Sequence, residues 1–319
     1  MKEIGGYFEL ELNSVNNFPH YDGVLLNSGR NAFEYILRNL TDAKKIYIPY
    51  YTCEVVLEPL NKVSIEYEFY GVNPDLELAD NINLTDGEYI LYTNYFGIKD
   101  SYIKKLAALY KERLIVDNAQ ALYAEHLNGV KTFYSPRKFV GLPDGGVAYI
   151  DSIRNKIELS IDESYDRFSH LLKRIDRGAS FAYTDFRENS HKLVGEPIKQ
   201  MSNLTSKLIE GIDFNSVKNR RIENFKYLHD ILHISNKLKI PSAESFACPM
   251  VYPYMTYDDS LRVRLIENKV FVATYWPNVF QWVKETDVEY YLTKNIIPIP
   301  VDQRYGKEDM ERIIKIITT

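Results

Sequence analysis

The chain has 319 residues, with 39 lysines and arginines against 44 aspartates and glutamates, and a formal charge of −5. With 45% hydrophobic and 26% charged residues it has the composition of a folded chain of about two domains, which excludes a disordered or fibrous protein. The mild acidity argues against nucleic-acid binding by bulk charge, and no apolar run approaches the ~20 residues needed to span a bilayer. Two cysteines, Cys53 and Cys248, make neither a disulfide framework nor a cysteine-rich zinc site. The start, Met1-Lys2-Glu3-Ile4-Gly5-Gly6, lacks an apolar signal core, so a cytoplasmic protein is expected.

From residue 24 to about 150 the pattern alternates between helix and strand. Residues 31–40 place Phe33, Ile36, Leu37 and Leu40 at helical spacing. Ile46-Tyr47-Ile48-Pro49 reads as a short strand ended by proline, 54–60 as a helix stopped near Pro59, and 63–70 as a strand. Residues 89–92 form a second apolar run, 102–113 an amphipathic helix, and Leu114-Ile115-Val116 a buried strand that stops at Asp117. Gly145-Gly146-Val147-Ala148-Tyr149-Ile150 enters another strand. Strands alternating with helices predict an α/β fold, a mainly parallel sheet with helices on both faces. Residues 152–211 read as helical and charged, and 219–232 as a further helix. Beyond 240, short strands over 249–254 and 270–273 mix with helices over 260–268 and 307–317, the pattern of a smaller α+β unit. The expected division is a large domain over 1–215 and a small one over 216–319.

Several segments carry residue types suited to chemistry. Asp117 directly follows a buried strand, and the carboxyl ends of strands in an open parallel sheet line the ligand crevice. An acid there binds a ligand, a metal or a cationic ring nitrogen, or else caps a helix. Asn27-Ser28-Gly29-Arg30-Asn31-Ala32 precedes a helix and reads either as a phosphate cradle of backbone N–H groups or as a plain capped end. Ser135-Pro136-Arg137-Lys138 leads into the glycine- and proline-rich residues 141–146. Lys138 is there either a Schiff-base nucleophile, with Arg137 lowering its pKa, or a solvated surface lysine. His229 and His233 stand at i, i+4 with no third metal ligand, so the face of an amphipathic helix is expected. Cys53 reads as a small buried thiol rather than a nucleophile.

Taken in order, these segments resemble the DegT/DnrJ/EryC1/StrS family of sugar aminotransferases, pyridoxal-phosphate enzymes of the aspartate aminotransferase fold. Ser28-Gly29-Arg30-Asn31-Ala32-Phe33 resembles the family's phosphate loop, Ser-Gly-Thr-x-Ala-Leu. Ile48-Pro49-Tyr50-Tyr51-Thr52 resembles its strand-end Val-Pro-x-x-Thr, and Asp117-Asn118-Ala119-Gln120 its Asp-x-Ala-Gln. Lys138 followed by Asp144-Gly145-Gly146 is similar to its Schiff-base lysine followed by x-Gly-Gly. Arg220-Arg221-Ile222-Glu223-Asn224 and Ile296-Ile297-Pro298-Ile299-Pro300 resemble its C-domain segments. The resemblance runs from about Val24 to the end. It implies a large cofactor-binding domain with a mainly parallel sheet, plus a smaller α+β C-terminal domain. Asp117 would pair with the pyridinium nitrogen, Lys138 would form the Schiff base and shuttle the proton, and Gln120 would bond the ring oxygen. Ser28, Gly29, Arg30, Asn31, Thr52 and Ser135 would complete the pyridoxal 5'-phosphate site, with no metal. The implied reaction moves an amino group, usually from glutamate, to a nucleotide-linked keto sugar in polysaccharide or other amino-sugar biosynthesis, with a homodimer as the working form.

The chain departs from the family pattern in five ways, one of them Arg137 beside the lysine. It is shorter. The serine five residues before the lysine is Phe133 here, with Ser135 three before. The ring that follows the threonine is Cys53, leaving Tyr50, Tyr51 or Tyr95 to stack on the cofactor. The interface segment Gly-x-Asn-x-Arg-Met is reduced to Gln200-Met201-Ser202-Asn203. Two other readings follow. One is a pyridoxal-phosphate enzyme for a small amino acid, with Arg137, Arg262 or Arg264 binding its carboxylate. The other is a non-catalytic descendant that binds a sugar nucleotide or a partner protein. Lys131, the nearby alternative to Lys138, lies before the Ser135-to-Gly146 motif.

Overall fold

The computed structural model describes residues 4–150 and 158–319. Residues 1–3 and the start of the segment read as helical from 152 lie outside the described residues. The chain runs through β1 (Val24–Leu26), α1 (Gly29–Asn39), β2 (Lys45–Pro49), α2 (Leu57–Val63), β3 (Glu66–Tyr70), β4 (Glu88–Thr93), α3 (Asp100–Tyr110), β5 (Leu114–Asn118), β6 (Lys131–Tyr134) and β7 (Gly146–Tyr149). It continues through α4 (Ser169–Arg177), α5 (Ala179–His191), α6 (Asn203–Gly211), α7 (Phe214–Leu232), β8 (Val251–Met255), α8 (Leu261–Glu267), α9 (Val279–Trp282), α10 (Val288–Asn295), β9 (Ile296–Pro300) and α11 (Lys307–Thr318). No described helix is long and apolar enough to cross a membrane.

Seven strands form one sheet in the order β1-β7-β6-β5-β4-β2-β3. β3, β2, β4, β5 and β6 are parallel, whereas β7 runs antiparallel to both β6 and β1. The sheet is therefore mixed at one edge and parallel elsewhere. Strand alternation divides its side chains between two cores. Ile90, Tyr92, Leu114 and Val116 face one; Tyr89, Leu91, Ile115 and Phe133 face the other. α1 closes the second core with Ala32, Phe33, Ile36 and Leu37, each full burial worth about 1.5–3 kcal/mol for the larger side chains.

The crossovers locate the crevice. α2 leads from β2 to β3 on the α1 face, whereas α3 leads from β4 to β5 on the opposite face. Right-handed crossovers that diverge from neighbouring strands leave a gap beyond the strands' carboxyl ends. Pro49 ends β2, Thr93 ends β4, and Asp117 lies opposite Thr93 in β5.

The C-terminal elements pack on the first core. Phe214, Phe225 and Leu228 of α7, Tyr252 of β8, Ile297 of β9 and Met310 of α11 share one apolar cluster with Tyr92 and Val116 of the sheet. The core runs unbroken across residue 215, one residue into α7. β8 and β9 form a separate antiparallel pair.

Local chemistry moves several boundaries. The helix read over 54–60 begins as a 3₁₀ turn at Glu54–Val56 and continues as α2 to Val63. Pro59 sits in the first turn of α2, where its missing N–H has no intrahelical partner to lose, so it does not end the helix. Ser64, at φ +57, closes α2 and delays the strand read from 63 until Glu66. The helix read from 219 starts earlier, at Phe214, because Asp213 Oδ1 accepts the N–H groups of Asn215 and Ser216. The strand read over 270–273 is absent. Val270 instead gives its N–H to Leu265 O at the end of α8, 2.8 Å away, and 271–273 have no neighbouring strand.

A buried charged network ties the segment after β7 to the loop before it. Arg167 bridges Asp144 at 2.8 Å and Asp162 at 2.5 Å, Lys199 bonds Asp162 at 3.0 Å, and Thr205 Oγ1 donates to Asp144. Asp144 is fully buried. Removing one member of a buried ion pair leaves an uncompensated charge, typically at a cost of about 3–5 kcal/mol. Arg167→Met is expected to lose about that much in equilibrium denaturation, and Arg167→Lys distinctly less.

Candidate functional site

Asp117 belongs to a strand whose preceding residues, Leu114, Ile115 and Val116, are sealed in the two cores. Its Oδ1 accepts the N–H of Ala119 at 2.8 Å, and its carbonyl accepts the N–H of Asn94 from the neighbouring loop at 2.9 Å. Burial pushes the Asp117 carboxyl above the usual carboxylate range; the positive charge of Lys138 and the Ala119 N–H act in the opposite direction. Lys138 is exposed, on a short 3₁₀ turn, Pro136–Lys138, that follows β6. Its charge also opposes the upward push of burial on the Cys53 thiol. Asp117, Lys138 and Cys53 thus lie within electrostatic reach of one another, at or just beyond the carboxyl ends of β5, β6 and β2.

The start of α1 adjoins this group. Ser28 caps α1, its Oγ accepting the Asn31 N–H at 3.1 Å. A β-carbon on Gly29 would stand 3.1 Å from Ser135 Cβ and 3.4 Å from Ser135 Oγ, so the bare glycine lets the loop carrying Lys138 close onto the helix start. A β-carbon on Gly146 would overlap the Ser28 carbonyl. Gly145, at φ +116, gives its N–H to Asn27 O at 2.9 Å. The side chains of Arg30 and Asn31 are engaged elsewhere. Arg30 bonds Glu58 at 2.9 Å and Leu193 O at 3.3 Å, and Asn31 bonds Asn27 and the Pro197 carbonyl. The Asn31 N–H is taken by the Ser28 cap, so what this pair offers a ligand at this end is the Arg30 backbone at the helix start.

Gln120 is buried, and its Oε1 accepts the Phe96 N–H at 2.7 Å, holding the loop after β4. That loop turns at Gly97, φ +72, where a β-carbon would lie 2.7 Å from Gln120 O and 2.8 Å from Cys248 O. Thr52 is buried, with its carbonyl fixed by Asn278 Nδ2 at 2.9 Å. Tyr50 stacks on Phe69 at 4.7 Å, while Tyr51 and Tyr95 are fully buried beside Trp276. Among the described residues the buried hydroxyls of Tyr51 and Tyr95 have no hydrogen-bond partner.

The other candidates separate from this centre. Lys131 donates to Glu112 O, at the opposite end of β5 from Asp117. His233 bonds His229 O and His229 faces Tyr252, and no metal-binding group exists among the described residues. Arg264 pairs with Asp258 at 2.8 Å, whereas Arg262 donates to the carbonyls of Ala273 and Ile296. Residues 199–201 lie beside β1, where Lys199 O accepts from Asn27 and Met201 gives its N–H to Leu25 O.

The sequence reading missed the residues that fix the lysine turn. Arg221 of α7 is buried and stacked on Phe139, the residue after Lys138, at 4.6 Å. It donates to Phe139 O at 2.8 Å and Met250 O at 2.9 Å, and Gln303 Nε2 also donates to Phe139 O, at 3.0 Å. The only signal was the Arg-Arg-x-x-Asn motif, which gave no target for the arginine.

Solved structures share this arrangement of elements. Sugar aminotransferase CalS13 from Micromonospora echinospora matches at 14% identity with a TM-score of 0.65, over 94% of this chain and 88% of that one. A DegT DnrJ EryC1 StrS aminotransferase from Brucella abortus matches at 15% and 0.61, over 94% and 86%. The GDP-4-keto-6-deoxymannose-3-dehydratase ColD, a point mutant with bound GDP-perosamine, matches at 15% and 0.60, over 92% and 88%. The chain has the fold of the sugar aminotransferases. No family model and no curated protein matches its sequence.

The raised Asp117 carboxyl has a stability consequence. A carboxyl that is harder to ionise in the folded state costs stability as pH rises through its titration. Asp117→Asn, which keeps an oxygen for the Ala119 N–H, is expected to raise the melting temperature of the ligand-free protein at pH 7. The gain should shrink as the pH falls into the range where the native Asp117 is protonated; thermal melts between pH 4 and 8 check it.

Proposed function

We propose that this protein is a pyridoxal-phosphate aminotransferase that moves an amino group from glutamate to a keto sugar carried on a nucleotide. The reading is carried by the proximity of Asp117 and Lys138 at the strand-end crevice, beside the helix start onto which Gly29 and Gly146 let the lysine loop pack closely. The donor set suits the cofactor. A desolvated carboxylate matches a cationic ring nitrogen, an exposed lysine matches an aldehyde, and a helix N-terminus with Ser135 matches a phosphate.

Bound there, pyridoxal phosphate supplies the electron sink that lets a nitrogen-bearing carbon release its proton. Asp117 keeps the ring nitrogen protonated, and its burial makes it gain most from a cation brought against it. Lys138 Nζ would hold the cofactor's aldehyde end and would serve as the general acid and base that moves the proton. Ser135 Oγ and the start of α1 hold the phosphate. Gln120, engaged with Phe96, acts by holding the loop that walls the ring.

Of the three arginines of the carboxylate-binding alternative, Arg264 is paired with Asp258 and Arg262 is engaged with backbone carbonyls, which leaves Arg137 as its candidate among the three. A homodimer is part of the proposal. Exposed apolar side chains gather on α4 and α5, with Leu172, Ile175, Phe181, Tyr183 and Phe186 all in solvent, and a second copy of the chain would cover them. A nucleotide-sugar substrate implies work in the cytoplasm and a place in surface-polysaccharide or other amino-sugar synthesis.

Protein mixed with pyridoxal phosphate is expected to develop a near-visible absorbance band that Lys138→Ala lacks and that glutamate bleaches. Absence of the band in the unaltered protein sinks the cofactor assignment. Turnover of amino acids with no sugar acceptor present sinks the keto-sugar assignment. Light scattering is expected to give about twice the 37.2 kDa chain mass.

A further inference from the structure

The start of the described chain has the pattern of a strand and no partner. Phe8, Leu10 and Leu12 alternate with Glu9 and Glu11, an order that puts apolar side chains on one face of an extended segment and carboxylates on the other. No backbone hydrogen bond joins residues 4–14 to any described residue. Tyr7 is 99% exposed and Phe8 92%. The arm is nonetheless pinned at its base. The N–H groups of Val15 and Asn16 both reach Glu210 O, at 2.7 and 3.0 Å. Asn17 donates to Asp213 and accepts the Phe214 N–H, each at 2.9 Å. From that fixed point, at the join of α6 and α7, residues 7–14 can extend about 26 Å at ~3.3 Å per residue.

Charge and shape set what such an arm can cover. The two edges of the large sheet are poor seats. β1 is flanked by residues 199–201, and β3 presents Glu66 and Glu68, which repel Glu9 and Glu11. The hairpin of α4 and α5 suits it. Leu172, Ile175, Phe181, Tyr183 and Phe186 stand in solvent there, Ile175 at 82%. Arg174, Arg177 and Arg187 are exposed among them, and no described carboxylate is paired with any of the three. Arg177 lies over the Phe181 ring at 4.4 Å. Asp185 is taken by Lys173, which leaves only Asp176 and Glu188 of these helices against three arginines. We infer that residues 7–12 of one protomer dock on the α4–α5 face of a second copy, with Phe8 and Leu10 on its apolar side chains and Glu9 and Glu11 beside its arginines. A two-fold axis makes the exchange reciprocal. An aromatic side chain buries about 150–250 Å², so two docked arms and the faces that receive them reach the roughly 1,600 Å² of a stable interface. The inference rests on the homodimer of the proposed function and adds which segment covers the exposed face.

The test is the dimer dissociation constant, measured by analytical ultracentrifugation. Removing residues 1–12 keeps the pins at Val15, Asn16 and Asn17 and is expected to weaken the dimer at least about tenfold, the equivalent of about 1.4 kcal/mol. Arg174→Glu with Arg177→Glu is expected to weaken it by a similar factor, and so, separately, is Glu9→Arg with Glu11→Arg. Mixing these two charge-reversed chains is expected to restore a tight mixed dimer, because each arm then meets a face of opposite charge. A variant that had merely misfolded would not be rescued in this way. A truncated chain or charge-reversed chains that dimerise as tightly as the native protein overturn the inference and leave the homodimer standing. Charge-reversed chains that weaken but do not recover on mixing also overturn it. A native chain that stays monomeric at micromolar concentration overturns the homodimer and the arm exchange together.

Discussion

The site depends on a carboxyl group placed where a buried strand runs out of apolar neighbours. Leu114, Ile115 and Val116 are sealed between two cores, and Asp117 is the first residue of that strand with a charge to hide. Desolvation dominates its titration, so the group favours any cation that can reach it. In the chain itself that cation is Lys138. The location follows from the crossovers. α2 and α3 leave neighbouring strands in opposite directions and on opposite faces, which opens the sheet at the ends of β2, β4 and β5. An acid at that point is reachable by a ligand, whereas at the other end of β5 it would meet the turn where Lys131 bonds Glu112 O.

Lys138 is held in turn by contacts from distant parts of the chain. Arg221 and Gln303 both donate to the carbonyl of Phe139, so α7 and the segment after β9 fix the residue next to the lysine. On the far side of the loop, Asp144 is locked by Arg167 and Thr205, and Gly146 fits against the Ser28 carbonyl with no room for a side chain. The lysine side chain is left exposed while its backbone is clamped, which suits the role proposed for it. The clamp also explains why the C-terminal elements share a continuous core with the sheet: a loose second unit would transmit no constraint to Phe139.

How much of this was legible in the sequence follows from which interactions are local. α1 was readable because Phe33, Ile36 and Leu37 repeat at helical spacing, and β5 because three apolar residues stop at an acid. Asp117 and Lys138 were readable as types in telling places. Interactions set by distant partners were not. Val270-Phe271-Val272-Ala273 has the composition of a strand, but no edge is available beside it, and Val270 finishes α8 instead. β1 and β6 are three and four residues long and gain their strand character from the neighbours that flank them. Pro59 was read as a stop because its place within the first turn of α2 was not visible. Arg221 was legible only as part of a motif, because its partners Phe139, Met250 and Gln303 come together only in the fold.

The same distinction explains a fold shared with structures at 14–15% identity and a sequence that matches no family model. A core accepts many apolar sequences of the right volume and period, so most of the chain is free to drift. The features that cannot drift are few and scattered: two glycines against a helix start, an acid at a strand end, a lysine in a clamped turn. The solved structures with this fold include both an aminotransferase and a dehydratase, so the sheet and its helices do not choose the reaction. The choice falls to side chains lining the crevice and to what they leave unsatisfied. Here those include an acid lifted by burial and an exposed lysine whose charge acts on it.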